Sequence, residues 1–186
     1  DLRSIVTERF GKTSTTADSE LIGERLCMEL MKGRSLPEAT KTCMEEIDGA
    51  YSVVGIIGEG ELFAFRDSRG IKPLCLGYSS DDEVCAISSE TVGLDINDLN
   101  HRIDTVEPGE LVTITKHGVK REQLVVPRRK AICSFEFAYF ARPDSILNDA
   151  SRYVYEVRTA FGRNLGRIAQ RQGVAGRVDM VIPVPE

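Results

Sequence analysis

Asp18 and Cys133 are the two residues whose type and setting could carry chemistry. Asp18 follows Thr15 and Thr16 and precedes Ser19, at the point where an apolar helical pattern begins. This setting favours a helix cap, because short polar side chains accept hydrogen bonds from the first N–H groups of a helix. The alternative is a carboxylate that pairs with the ammonium group of a substrate, and one side chain can serve both roles.

Cys133 lies in a run of alternating side chains rich in phenylalanine and tyrosine, which we call the aromatic segment (residues 131–145). The alternation predicts a strand with Cys133 on its aromatic face, ended by Pro143. A lone cysteine on such a face is ordinarily a small buried hydrophobic residue. The five cysteines are scattered and odd in number, which argues against a disulfide framework and favours a reducing, cytoplasmic compartment.

The elements that must position these residues fall into two groups on either side of the aromatic segment. Residues 1–17 are polar and turn-rich, and two amphipathic helices follow near 18–33 and 35–49, the second with a capping box of Ser35 and Glu38. Glycine-containing turns then separate short apolar runs that predict antiparallel strands at 50–57, 62–66, 84–88, 103–106, 111–115 and 119–126. The first of these runs is apolar at both parities, which predicts a strand covered on both faces.

After the aromatic segment the pattern changes to one long helix, for which Asp149 is the expected cap, and a continuous apolar run at 178–184. Such a run is typical of a buried parallel strand. We therefore predict an α+β unit of helices and antiparallel sheets over residues 1–127. A junction and the start of a second, α/β domain follow over 128–186.

Composition excludes several function classes. The net charge is −5 over 186 residues and the densest basic run is Arg128–Lys130, so nucleic-acid binding is not expected. No apolar run reaches membrane-spanning length, and membrane association is not expected either.

The aromatic segment, ending in Phe-Ala-Arg-Pro-Asp-Ser, closely resembles the domain junction of glutamine phosphoribosylpyrophosphate amidotransferases. Similar stretches occur at residues 16–20, 48–52, 88–91 and 179–186. Other glutamine amidotransferases of this class share the first two stretches but lack the junction sequence. One departure is Lys72, which stands where this family usually has arginine.

The resemblance implies an N-terminal-nucleophile hydrolase sandwich, with helices packed on antiparallel sheets, followed by the start of a phosphoribosyltransferase domain. It implies an enzyme that transfers the amide nitrogen of glutamine to phosphoribosyl pyrophosphate, giving 5-phosphoribosylamine in the first step of de novo purine synthesis. The alternative is a non-catalytic module that keeps the glutaminase fold in a regulatory or scaffolding role. Position 1 is Asp rather than the nucleophilic cysteine, so we assign no catalytic residue here and expect this internal fragment to be inactive alone.

The resemblance also implies specific site residues. Asp18 would bind the α-amino group of glutamine, and Glu186 would lie at the edge of the pyrophosphate loop. Cys133 would be one ligand of a [4Fe–4S] cluster in those family members that carry one, with the other ligands downstream. The full protein would use Mg²⁺ and form a homo-oligomer.

Overall fold

The computed structural model describes residues 2–10, 15, 17–58, 60–147, 150 and 152–182. The helices of this part of the chain are α1 (Leu2–Phe10), α2 (Asp18–Met31), α3 (Leu36–Glu46), α4 (Thr91–Asp95) and α5 (Val154–Arg171). The strands are β1 (Ser52–Ile57), β2 (Glu61–Arg66), β3 (Cys75–Tyr78), β4 (Cys85–Ser88), β5 (Arg102–Thr105), β6 (Glu110–Thr115) and β7 (Gly118–Gln123). A π-helical turn spans Glu136–Phe140 and a short 3-10 turn spans Ala175–Arg177.

Two antiparallel sheets form the centre of the fold. One has four strands in the order β1-β2-β6-β7, and the other has three in the order β4-β3-β5. Alternate residues of β2 serve the two faces of the larger sheet, as the pleat requires. Phe63 and Phe65 pack in one core with residues of α2 and α3, whereas Ala64 packs in a second core with Leu76 and Val106.

The second core joins the two sheets, and α4 covers the outer side of the smaller one. Gly77 lies on the face of β3 opposite Leu76, and a Cβ atom there would come within 2.8 Å of the Leu94 side chain of α4. The layers are therefore helices, sheet, sheet and helix. This arrangement confirms the prediction of an α+β sandwich.

A network of ion pairs around the buried Glu29 and Arg25 side chains joins α2 to α3. The Glu29 side chain is 1% exposed and receives ion pairs from Arg25, Lys32 and Arg34. Arg25 also donates to Glu46 of α3, with Nε–Oε2 at 2.7 Å and Nη2–Oε1 at 2.8 Å. The hydrogen bond from Lys32, together with Arg25 and Arg34, holds the pKa of Glu29 at about 2 although burial acts against it.

The capping box predicted at the start of α3 is confirmed. Glu38 Oε2 accepts hydrogen bonds from the Ser35 backbone N–H at 2.9 Å and from its hydroxyl at 2.7 Å. Gly33, with a φ of 82°, ends the preceding helix by adopting the left-handed conformation that glycine tolerates. The sequence was sufficient to predict both features, because the residues that form the capping box, and the glycine that ends the helix, lie within a few positions of one another.

Two expectations for the N-terminal unit were wrong. Residues 2–10 form helix α1, on which Val6 is fully buried, instead of a turn-rich stretch. Strand β1 is not covered on both faces, since Val54 and Ile56 are 50% and 68% exposed. β1 is an edge strand of the described sheet, and Val54, which lies opposite Ala64 on the same face, is not part of the second core.

The aromatic segment is not a strand. Its first residues and those just before it are extended beside the 68–71 turn, with N–H groups of Arg128 and Ala131 donating to the carbonyls of Ser68 and Arg69 at 2.7 and 3.2 Å. It then becomes helical, with the π-helical turn Glu136–Phe140. The aromatic side chains at 135, 137 and 139 alternate as in a strand. The spacing of four between 135 and 139, with a further aromatic residue at 140, also suits a helix, so alternation alone could not separate the two.

The end of the chain also differs from expectation. Helix α5 begins at Val154, where Glu156 accepts a hydrogen bond from the Tyr153 N–H at 3.1 Å, and Asp149 lies outside the described residues. The apolar run predicted as a buried strand is exposed and unpaired over 178–182, and the rest of it lies outside the described residues. A buried parallel strand needs neighbours on both edges, and the described chain supplies none there.

The buried charge network predicts how the protein responds to acid. Because the pKa of Glu29 is depressed in the folded state, its contribution to stability is complete above its ordinary pKa and is lost as the pH falls from about 5 to about 2. We expect Glu29→Gln to lower the free energy of unfolding at pH 7 by about 1–3 kcal/mol. The variant should also lose less stability across that acid range, as measured by urea unfolding at a series of pH values.

Glu45→Gln is the matched control, because Glu45 lies on exposed α3 surface with Lys41 3.9 Å away. We expect it to change stability by less than about 0.5 kcal/mol. Equal acid profiles for Glu29→Gln and the unmodified protein would refute a stabilising role for this network.

Candidate functional site

A cleft of about 760 Å³ runs along the edge strand β1 and is also lined by residues of α2, by Lys72 and Glu90, and by Glu136 of the aromatic segment. Its floor is apolar and includes Leu26, Val54 and Ile56, whereas its charged lining residues are Asp18, Lys72, Glu90 and Glu136. Volume, an apolar floor and a few polar groups are the usual features of a small-molecule site. Three acids against one base make the described lining net negative.

Asp18 is the first residue of α2, and the structure does not make it the cap. Ala17 occupies the capping position, and Glu20 Oε2 instead accepts hydrogen bonds from the backbone N–H and the hydroxyl of Thr15 at 2.8 and 2.7 Å. The Asp18 side chain is exposed on the cleft wall. The helix therefore fixes the backbone of Asp18, and its exposed carboxylate is available to a ligand.

A tight turn after β2 brings Lys72 to the cleft. The buried Asp67 carboxylate accepts hydrogen bonds from the N–H groups of Arg69, Gly70 and Ile71 at 2.8, 3.1 and 3.2 Å, and from that of Tyr51 at 3.3 Å. Gly70 has a φ of 60°, which favours glycine. The turn is fixed from within, so the position of Lys72 is fixed as well.

Lys72 joins the cleft to the aromatic segment. Its Nζ lies 2.7 Å from Oε1 of the buried Glu136 and 5.2 Å from the centre of the Phe140 ring. The hydrogen bond to Glu136 raises the pKa of Lys72 above its ordinary value, against the effect of burial. Lys72 thus carries its charge at neutral pH, and its ion pair with Glu136 holds the start of the π-helical turn against the cleft wall.

A second contact between the cleft and the chain beyond position 140 is made by Glu90 and Thr91. Glu90 Oε2 accepts hydrogen bonds from the Arg142 N–H at 2.8 Å and from the Ser145 hydroxyl at 2.7 Å. Thr91 Oγ1 accepts one from the Ile146 N–H at 2.9 Å. The turn at 142–146 is therefore docked on the N-terminal end of α4.

Arg158 of α5 completes the support of the aromatic segment. Its guanidinium donates to the carbonyls of Phe137, Tyr139 and Ala141 at 2.7, 3.2 and 2.7 Å. Carbonyls at the end of a helical turn lack partners within the turn, and a cation is the favourable neighbour for them. Lys72 thus holds the aromatic segment at Glu136, Arg158 holds it at residues 137–141, and Glu90 holds the 142–146 turn.

Cys133 is partly buried and free, with its N–H 3.4 Å from the Ile71 carbonyl. The described residues contain no group of three or more histidine, cysteine, aspartate or glutamate side chains that could hold a metal ion. They do not by themselves fit an iron–sulfur cluster, which needs several thiolates. Glu186 lies outside the described residues, so its role at a pyrophosphate loop stays a prediction.

The structure brings together residues for which the sequence suggested no contact. Lys72 and Glu136 are 64 positions apart, and Glu90 and Ser145 are 55 apart. The signals available were the unusual lysine at 72 and the similarity of residues 88–91 to the family. Neither signal identifies a partner.

Comparison with known proteins agrees with this fold. A family model for the glutamine amidotransferase domain matches residues 1–95. The chain therefore belongs to the glutamine amidotransferase domain family.

Relatives over the whole chain carry one enzyme name. The amidophosphoribosyltransferase of Synechocystis sp. is 36% identical over 173 residues, covering 92% of this chain and 33% of the relative. That of Escherichia coli is 36% identical over 196 residues, covering 99% and 38%. The chain therefore spans about a third of the length of the curated relatives it matches.

Solved structures of similar proteins support the architecture. The structure of the allosteric regulatory enzyme of purine biosynthesis matches with a TM-score of 0.78 and 28% identity, covering 91% of this chain and 34% of that one. The glutamine phosphoribosylpyrophosphate amidotransferase of B. subtilis, complexed with ADP and GMP, matches with a TM-score of 0.71 and 28% identity over 82% and 32%. The predicted N-terminal-nucleophile hydrolase sandwich is confirmed at this level.

The cysteines near the cleft allow a test of its geometry. Cys27 is exposed and lines the cleft, whereas Cys43 is fully buried in the core behind it. Burial raises the pKa of the Cys43 thiol to about 12, so almost no thiolate is present at pH 8. We expect iodoacetamide to modify Cys27 at least roughly tenfold faster than Cys43, as measured by peptide mass spectrometry.

Urea-unfolded protein provides the control, since both thiols should then react at similar rates. Comparable rates in the folded protein would show that Cys43 is not enclosed between α3 and the larger sheet.

Proposed function

We propose that this chain works as part of a glutamine-dependent amidophosphoribosyltransferase. In this reaction the amide nitrogen of glutamine is transferred to phosphoribosyl pyrophosphate, giving 5-phosphoribosylamine in the first step of de novo purine synthesis. The observation that carries the proposal is whole-chain similarity to amidophosphoribosyltransferases at 36% identity, with the similarity continuing past the amidotransferase domain through residues 131–182.

The cleft supports glutamine as the ligand. Glutamine brings an α-ammonium group, and a net negative lining with an exposed carboxylate at Asp18 favours a positively charged group. The apolar floor along β1 suits the methylene carbons of the side chain. In this proposal Asp18 binds and orients the ammonium group while the floor excludes water.

The second substrate would be handled by a domain that begins after the sandwich. Helix α5 has a buried Val154 at its start, but Phe161, Leu165 and Ile168 along its length are 42–65% exposed. The run at 178–182 is also apolar and exposed. Both features support an α/β phosphoribosyltransferase domain beginning within 128–186, where Mg²⁺ would neutralise the pyrophosphate charge when bound.

The cellular compartment and the oligomeric state of the protein are also part of the proposal. None of the five cysteines, all of them within the described residues, forms a disulfide, which supports a reducing cytoplasmic compartment. No described helix combines the length and the apolar character needed to cross a membrane. A homo-oligomeric state stays part of the proposal.

Asp18→Asn tests the substrate contact. The change keeps the size of the side chain and removes its charge, so a charge-assisted bond worth about 1.5–3 kcal/mol to the ammonium group is lost. We expect the KM for glutamine of the full-length protein to rise about 10-fold or more. Activity with free ammonia should be retained, as measured by pyrophosphate release with either nitrogen donor.

Asp98→Asn is the matched control, because Asp98 is exposed near α4 and does not line the cleft. Unchanged glutamine kinetics in Asp18→Asn would remove Asp18 from the site. If the unmodified full-length protein uses neither donor, a non-catalytic module with the glutaminase fold becomes the better interpretation.

Cys133 provides a separate prediction about cofactors. If it is one ligand of a [4Fe–4S] cluster completed by downstream cysteines, the anaerobically purified full-length protein will contain iron and labile sulfide. Cys133→Ser will then lower both, whereas Cys27→Ser, at an exposed thiol on α2, will not. Absence of iron from the unmodified protein would leave Cys133 as a packing residue.

A further inference from the structure

Glu90 is unusual among the cleft residues because its carboxylate serves two structures. It lines the cleft together with Lys72 and Glu136. The same carboxylate accepts hydrogen bonds from the Arg142 N–H at 2.8 Å and the Ser145 hydroxyl at 2.7 Å. The wall of the cleft and the 142–146 turn at the end of the aromatic segment therefore share one anionic group.

The turn at 142–146 is built to receive this group. Ser145 is fully buried, and its N–H donates to the Arg142 carbonyl at 3.2 Å. Arg142 and Asp144 close the outer side of the turn through an ion pair with Nη2–Oδ2 at 2.8 Å. The turn thus has a fixed shape of its own, and Glu90 determines where it is docked.

A ligand in the cleft would change the strength of this docking. Filling the cleft removes water from around the Glu90 carboxylate and the Lys72–Glu136 pair. Hydrogen bonds to a charged group are stronger where the local dielectric constant is lower. Ligand binding and docking of the turn therefore favour one another, and the effect must be reciprocal.

We propose that Glu90 is a positioning residue through which an amino-acid ligand in the cleft and the docked 142–146 turn stabilise each other. This inference rests on the proposed function, because it takes glutamine as the ligand of the cleft. It adds a route by which occupancy of the glutamine site reaches the chain beyond the sandwich. Glu90 itself takes no part in chemistry in this account.

Ser145→Ala is the sharpest test, because Ser145 does not line the cleft and acts on it only through Glu90. L-Glutamate is a suitable probe, since it keeps the α-ammonium and α-carboxylate groups of glutamine and is not hydrolysed. Hydrogen exchange of the peptide 141–147 in the full-length protein should slow several-fold when glutamate binds. In Ser145→Ala this protection should shrink, and the Kd for glutamate should rise by the same factor, roughly two- to tenfold.

Two further variants complete the experiment. Glu90→Gln should abolish the ligand-dependent protection and accelerate basal exchange of the Arg142 amide. Ser80→Ala, at an exposed serine outside the cleft, should match the unmodified protein in both measurements. Global unfolding by urea, measured in parallel, shows whether a variant is folded, and the Ser145→Ala result decides the question if Glu90→Gln does not fold.

The outcomes separate this inference from the proposed function. If glutamate binds the unmodified protein but leaves exchange at 141–147 unchanged, the inference is wrong and the proposed ligand stands. The same holds if Ser145→Ala binds glutamate as the unmodified protein does. If neither glutamate nor glutamine binds the unmodified protein, the proposed ligand fails and the coupling fails with it.

Discussion

The buried carboxylate of Asp67 is the constraint on which the rest of the structure depends. It accepts four backbone N–H groups, and its own N–H and carbonyl pair with the Tyr51 carbonyl at 3.1 Å and the Gly109 N–H at 3.0 Å. One residue thereby fixes the entry to β1, the turn after β2 and the entry to β6. The carbonyls of that turn accept hydrogen bonds from N–H groups of the chain at 128–133. Lys72, which lines the cleft, directly follows the turn.

Local signals predicted the sandwich well. The Ser35–Glu38 box, the glycine turns and the strand predicted at 62–66 each depend on residues close together in sequence, and those elements were placed correctly. Helix α1 was missed because its apolar stripe is weak and its burial comes from α2. The exposure of β1 was misjudged because composition cannot tell an edge strand from a central one.

The site shows where sequence reasoning ends. The neighbourhood of Asp18 favoured a helix cap and the family resemblance implied a substrate contact, and the structure places the residue on the cleft wall without a capping role. The contacts of Lys72 with Glu136 and of Glu90 with Ser145 join distant parts of the chain, so no spacing rule could reveal them. The aromatic segment failed as a strand for the same reason, because its shape depends on Lys72 and Arg158.

The three carbonyls bound by Arg158 also fix the rotation of α5 about its own axis. A planar guanidinium that meets three acceptors has one orientation, and a rotation by even one residue, roughly 100°, would break every bond it makes. The exposed stripe of Phe161, Leu165 and Ile168 therefore points in a direction set by the sandwich. The stripe is therefore already oriented when another surface packs on it. The rotational entropy of α5 is lost when α5 folds against the aromatic segment, and docking does not have to pay that cost again.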